Sequence, residues 1–134
     1  MLIDKFKDDK AMFLGADIVD VDIIDKLIEG KQDLSEMFTE KELDSVKDFG
    51  QRRKIQSLAG KLAAKEAAAK AFGLGANDTI KLCDIEILSM ESGKPFLILH
   101  NGAEQYALKI GIRSSLVSIS HSHRHALATV ILNK

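Results

Sequence analysis

One cysteine, one proline, one tyrosine and no tryptophan occur among the 134 residues, and aromatic residues make up only 5% of them. The lone cysteine, Cys83, excludes an internal disulfide and fits a reducing compartment. Its apolar, strand-like neighbours mark it as a small core residue. Neither sign of charge dominates. Nineteen Lys and Arg against twenty Asp and Glu leave a net charge of −1, which offers no bulk attraction for nucleic acid or an anionic membrane. No run approaches the ~20 apolar residues of a membrane span. The opening segment MLIDKFKDDKAMFLG has no apolar stretch behind a basic region, so no signal peptide is expected. These absences predict a cytoplasmic protein whose partners are neither nucleic acid nor membrane.

What is present supports a packed core. Hydrophobic residues form 46% of the chain and charged residues 29%, and the length suits one domain over residues 1–134. The dominant element is Gln51–Phe72, QRRKIQSLAGKLAAKEAAAKAF. Strong helix formers fill it, no proline interrupts it, and Gly73 and Gly75 follow where a helix stops. Leu58, Leu62, Ala69 and Phe72 form an apolar stripe at helical spacing. A second stripe holds Ala59, Ala63, Glu66 and Lys70, with Glu66 and Lys70 as surface neighbours four apart. The alanines leave room on this face for a ligand to come close.

Residues 1–10 read as a short extra turn. Met12–Val19 reads as a buried strand and Val21–Ile28 as a short helix stopped by Gly30. Ser35 and Thr39 are both possible helix starts, and Thr39 with Glu42 has the capping-box spacing. Beyond Gly75 the period changes. Ile80–Met90 alternates as a strand, Glu91–Pro95 is a turn, and Phe96–Leu99 is a second strand. Ala103–Ile110 reads as a helix. Leu116–His121 and Ala126–Leu132 read as strands joined by a tight turn at Ser122–Arg124. The result is an α+β fold, with helices leading and a mainly antiparallel sheet following. An open face or edge of that small sheet hints at oligomerisation.

Four groups of residues carry candidate chemistry. Asp17 sits among Leu14, Gly15, Ala16, Ile18 and Val19, where a carboxylate needs compensation. It caps the next helix, pairs with a lysine or binds a metal; Gly15 lets a ligand or another backbone come close. Glu66 and Lys70 form either an ordinary surface pair or part of a site. A Glu with a distant Asp suits Mg²⁺, which fills its remaining positions with water and phosphate oxygens. Arg52, Arg53 and Lys54, with Lys61, Lys65 and Lys70 further along, form either a solvated face or a phosphate-binding surface. At 1.5 Å per residue, Arg52 and Lys70 lie roughly 27 Å apart, too far for one phosphate. His121, His123 and His125 alternate as zinc ligands do, but the turn between them breaks the alternation. One histidine on a phosphate is the preferred reading.

Assembled, these stretches resemble the holo-(acyl-carrier-protein) synthases, small 4′-phosphopantetheinyl transferases. The resemblance runs from about Phe13 to Leu132. It rests on Leu14-Gly15-Ala16-Asp17-Ile18-Val19, on SLAGKLAAKEAAAKAFG from Ser57 to Gly73, on Asp84–Ile87 with Gly93–Pro95, and on Val117–His121 before an alternating apolar strand. It implies a homotrimer with sites between subunits, coenzyme A as donor, an acyl carrier protein as acceptor and Mg²⁺ as cofactor. By this resemblance Asp17 and Glu66 hold the metal, and Lys70 approaches the transferred phosphate. Arg52, Arg53 and His121 hold the ADP phosphates, and Lys61 and Gly73 also belong to the coenzyme-binding set. Gly93, Lys94 and Pro95 form a loop near the adenine, supplied by the neighbouring chain. A non-catalytic module keeping this fold is the alternative, against which the intact Asp17, Glu66 and Lys70 argue.

The chain departs from the family at three places. Lys61 replaces an arginine, Leu74 replaces a hydroxyl residue, and the helix after Asp17 carries Asp20, Asp22, Asp25 and Glu29 where basic residues are usual. That acidic face opposes an acidic carrier. Carrier docking is therefore expected on Lys26, Lys31 and the Arg52–Lys54 cluster, or the carrier is unusual.

Overall fold

A computed structural model describes residues 11–73 and 80–134; the expected turn in residues 1–10 and the Leu74 and Gly75 positions lie outside them. Strand β1 (Met12–Asp20) leads into α1 (Val21–Glu29), α2 (Glu40–Asp44) and the long α3 (Gln51–Phe72). Strands β2 (Ile85–Ser89) and β3 (Pro95–Leu99), helix α4 (Asn101–Ile110), and strands β4 (Ser114–His121) and β5 (His125–Asn133) follow.

The local signals account for most boundaries. Asp20, not Asp17, caps α1 by accepting from the Asp22 amide at 2.9 Å. Thr39 and Glu42 make the expected capping box at α2. Ser35 starts no α-helix; it lies in a 3₁₀ turn capped by Asp33. The strand expected from Ile80 begins only at Ile85, because Leu82–Asp84 forms a 3₁₀ turn. The carbonyls of Leu82 and Ile85 turn toward the buried Lys65 ammonium, at 3.0 and 2.6 Å, which draws this stretch out of extended geometry.

The strands divide into two antiparallel sheets rather than one. One is a three-stranded sheet ordered β1-β5-β4, the other the β2-β3 hairpin. The first and last strands pair along their lengths, with Asp17 opposite Ala128. Helix α3 packs across the three-stranded sheet and is buried through its middle, including Leu58, Ala59, Leu62, Ala63, Ala67 and Ala68. Its two ends are the wet parts. Gln51, Arg52 and Arg53 are exposed at one, and Glu66 and Lys70 emerge at the other.

This packing corrects the reading of the alanine stripe. Ala59 and Ala63 are fully buried within the core cluster, so the room they leave is filled by protein. A Cβ added at Gly15 would lie 1.8 Å from the carbonyl oxygen of Ala67 and 2.8 Å from the amide nitrogen of Ala71. The glycine and the alanines together let strand backbone approach helix backbone.

The far face of the three-stranded sheet is apolar and open. Leu14 (69% exposed), Ile131 and Leu116 lie in one rank across three strands. Ile18 (62%) and Leu127 (46%) form the next.

Candidate active site

Strand periodicity places Asp17. Gly15, Asp17 and Val19 share the face of β1 that meets α3, while Leu14, Ala16 and Ile18 point away. The contact at Gly15 brings Asp17 to the last turns of α3. There Lys70 Nζ donates to Asp17 Oδ1 at 2.8 Å. Asp17 is 19% exposed and Lys70 59%. The Asp17 hydrogen bond, then its charge, raises the Lys70 ammonium above its usual range. Partial burial raises the Glu66 carboxyl, the negative charge of Asp17 raises it further, and Lys70 draws it down. Asp17, Glu66 and Lys70, named from sequence as one site, are thus electrostatic neighbours. The alternatives for Asp17 narrow accordingly: it does not cap α1, and lysine pairing is what is seen.

Two neighbouring acids, one made reluctant to ionise by burial and then by the charge of the other, suit a small divalent cation. The donor set is open and all oxygen, as Mg²⁺ prefers. No three His, Cys, Asp or Glu side chains gather as a metal cage among the described residues. The histidines are separated accordingly. His121 Nε2 donates to the Gln56 carbonyl at 3.1 Å, His123 Nδ1 accepts from the Arg52 guanidinium, and His125 is exposed.

A second feature lies toward the opposite end of α3. Phe49, Arg53, Lys61, Gly93, Pro95 and His121 line a cleft of about 670 Å³. Gly60 admits His121, since a Cβ there would lie 2.6 Å from its Nε2. Five residues predicted to bind one ligand therefore share a cleft. Gly93 and Pro95 line this cleft together with Arg53 and His121 of the same chain. Lys94 is exposed in the turn beside Gly93, and Gly73 ends α3 beside Lys70, well away from the cleft.

The first turn of α3 contains Arg52, Arg53 and Lys54, no acid and no side-chain cap. Cations at the positive end of a helix dipole oppose helix formation but attract anions strongly.

Lys61 and Lys65 do not join an exposed phosphate surface. Lys61 is buried in the cleft wall, with Nζ bonded to the Ile87 carbonyl at 3.0 Å. Lys65 is fully buried and pairs with Glu42 at 2.6 Å. Burial lowers both ammonium pKa values while the Glu42 charge opposes the shift. Glu42 also accepts from the amides of Thr39 (2.8 Å) and Ile87 (2.9 Å). Nearby Glu86 accepts from Thr39 Oγ1 and contacts His100 Nε2 at 3.1 Å. This inner network gave no sequence signal of its own beyond the capping box.

Comparison with known proteins agrees with the geometry. Residues 13–130 match the model of the 4′-phosphopantetheinyl transferase superfamily. The chain is 40% identical over 124 residues to a holo-(acyl-carrier-protein) synthase of Clostridium perfringens, covering 89% of this chain and 91% of that protein. It is 36% identical to the Ruminiclostridium cellulolyticum protein of the same name, covering 91% and 92%. Among solved structures, the Bacillus anthracis holo-(acyl-carrier-protein) synthase in complex with CoA (3′,5′-ADP) superposes with a TM-score of 0.75 at 31% identity, covering 91% of this chain and 96% of that one. The Helicobacter pylori synthase in complex with coenzyme A gives 0.76 at 28% identity, covering 90% and 99%.

Proposed function

The chain belongs to the 4′-phosphopantetheinyl transferase superfamily, and on that premise we propose that it is a Mg²⁺-dependent enzyme moving the 4′-phosphopantetheine group of coenzyme A to a serine of an apo acyl carrier protein. The observation that carries this reading is the meeting of Asp17, Glu66 and Lys70 at one wet end of α3. Serine Oγ attacks the β-phosphorus of the CoA pyrophosphate. The bond from that phosphorus to the bridging oxygen breaks, and 3′,5′-ADP leaves with the oxygen.

Asp17 and Glu66 would hold Mg²⁺, which when bound neutralises charge on the pyrophosphate. Lys70, exposed and bonded among the described residues to Asp17, turns its ammonium toward the same developing charge. Glu66, directly or through a water, takes the serine proton. Arg53 and His121 hold the phosphates of the ADP part in the cleft, whose wall includes Lys61, Gly93 and Pro95, with Arg52 and Lys94 outside that lining.

The cleft and the acid pair sit toward opposite ends of α3. A homotrimer assembled through the apolar sheet face would set one chain's cleft near another's acid pair. The open ranks of Leu14, Ile131 and Leu116 and of Ile18 and Leu127 support that assembly. On the exposed side of α1, Asp22 and Glu29 outnumber Lys26. Docking of an acidic carrier then falls on Lys26, Lys31 and Arg52–Lys54.

The test is incubation with CoA, Mg²⁺ and a panel of apo carrier proteins, read by intact mass. A gain equal to phosphopantetheine on one carrier is expected. No gain on any carrier, with CoA still bound by the protein, would leave a non-catalytic module instead.

A further inference from the structure

A helix that opens with three cations and no acid breaks a local rule, so whatever holds those cations in place matters. At Arg53 the holder is an aromatic ring. The guanidinium carbon lies 3.7 Å from the centroid of Phe49, four residues earlier and just before the Gly50 cap. Both side chains line the 670 Å³ cleft, together with Lys61 and His121. Among the described residues, no carboxylate pairs with Arg53.

The choice of partner has a chemical consequence. A carboxylate would occupy the guanidinium's in-plane N–H fork and cancel its charge. A ring takes one face of the plane, restrains the side chain and leaves charge and fork intact. Elsewhere in the chain lysines are held by Asp17 and Glu42, so an acid is not excluded by composition; at the cleft it is simply not what is used.

We propose that Phe49 is a positioning residue that presents Arg53 to a phosphate of coenzyme A, fixing the guanidinium without neutralising it. This rests on the reading that the cleft receives the phosphates of the ADP part. Phe49 touches no reacting atom, so its effect falls on CoA affinity and not on the chemical step.

The experiment measures CoA binding by calorimetry, without carrier, alongside KM and kcat for transfer. Phe49→Leu keeps the apolar bulk and removes the ring; it is expected to weaken CoA binding and raise KM about two- to fivefold, with kcat unchanged. Phe49→Trp restores wild-type affinity. Phe49→Glu weakens binding more than Leu, because it neutralises the fork it holds. In an Arg53→Gln background, Phe49→Leu has no further effect.

Equal losses from Phe49→Leu with and without Arg53 would overturn the positioning role while leaving the cleft reading intact. So would a fall in kcat at constant KM. If Arg53→Gln itself leaves CoA affinity unchanged, the cleft reading fails, and the positioning role with it.

Discussion

Helix α3 carries two lysine–carboxylate pairs five residues apart, and they do opposite things. Lys65 and Glu42 are wholly buried. The Lys65 ammonium spends its three donors on Glu42, Leu82 and Ile85, so it is full. Among the described residues Lys70 makes one bond, to Asp17, and it is mostly in solvent. Burial lowers the pKa of the first lysine, while hydrogen bonding to its acid raises that of the second. The chemistry of the pairs is alike; what differs is how many donors are left over. A saturated pair stitches α3 to α2 and β2. An unsaturated pair can exchange its partner for a phosphate.

The largest expected effect lies on the open side. Glu66→Gln should lower transfer at least a hundredfold while leaving the melting curve in place. Undiminished transfer would remove Glu66 from both the metal and the proton. On the closed side the order reverses. Glu42→Ala strands a buried ammonium and should cost about 3–5 kcal/mol of stability in denaturant titration. Asp17→Ala should leave the unfolding midpoint nearly where it was and abolish Mg²⁺ binding. If the two substitutions cost similar stability, the contrast between the pairs is false.

Next is the sheet face. Leu14→Asp should convert a trimer to monomers in sedimentation, with loss of transfer. A wild-type monomer that transfers at full rate would contradict the shared site.

Acid titration separates the two regions more gently. Burial pushes Glu86 up, but bonds from Thr39 and His100 bring its folded pKa below the ordinary 4.5. Its stabilising contribution is therefore complete above that value and is lost as pH falls through the lower folded one. Glu86→Gln should flatten this acid limb of stability. Glu66 has the opposite shift, so Mg²⁺ affinity should fall with pH earlier, above 4.5. Lys70→Gln removes a charge that lowers the Glu66 pKa and should move that limb higher still. The smallest effect concerns docking: carrier binding should weaken moderately with added salt. No weakening would count against the Arg52–Lys54 cluster as the docking surface.

How much of this was legible depends on which forces act locally. The span of α3 was readable because propensity, length and its glycine stop agree, and it was found as expected. Asp17, Glu66 and Lys70 were readable as a trio by resemblance, and the structure brings them together. Lys61 and Lys65 were misjudged as surface because α3 is covered on two sides, and single-helix periodicity registers only one buried face. Ala59 and Ala63 were assigned to a ligand, whereas both are buried in the protein core. The 3₁₀ turn at Leu82–Asp84 escaped because Lys65, 17 residues before Leu82, draws its carbonyls. Phe49 carried no signal, since a lone phenylalanine before a glycine has many uses.

The pairing of β1 with β5 fixes when Asp17 can be placed. Asp17 is held in register opposite Ala128, more than a hundred residues later in the chain. A growing polypeptide that already contains α3 still lacks the central strand on which β1 rests. Contacts of such separation form late, and here the Asp17 carboxylate waits for them. Assembly of the proposed site thus waits on β5: a chain cut off before that strand would carry Glu66 and Lys70 without a positioned Asp17.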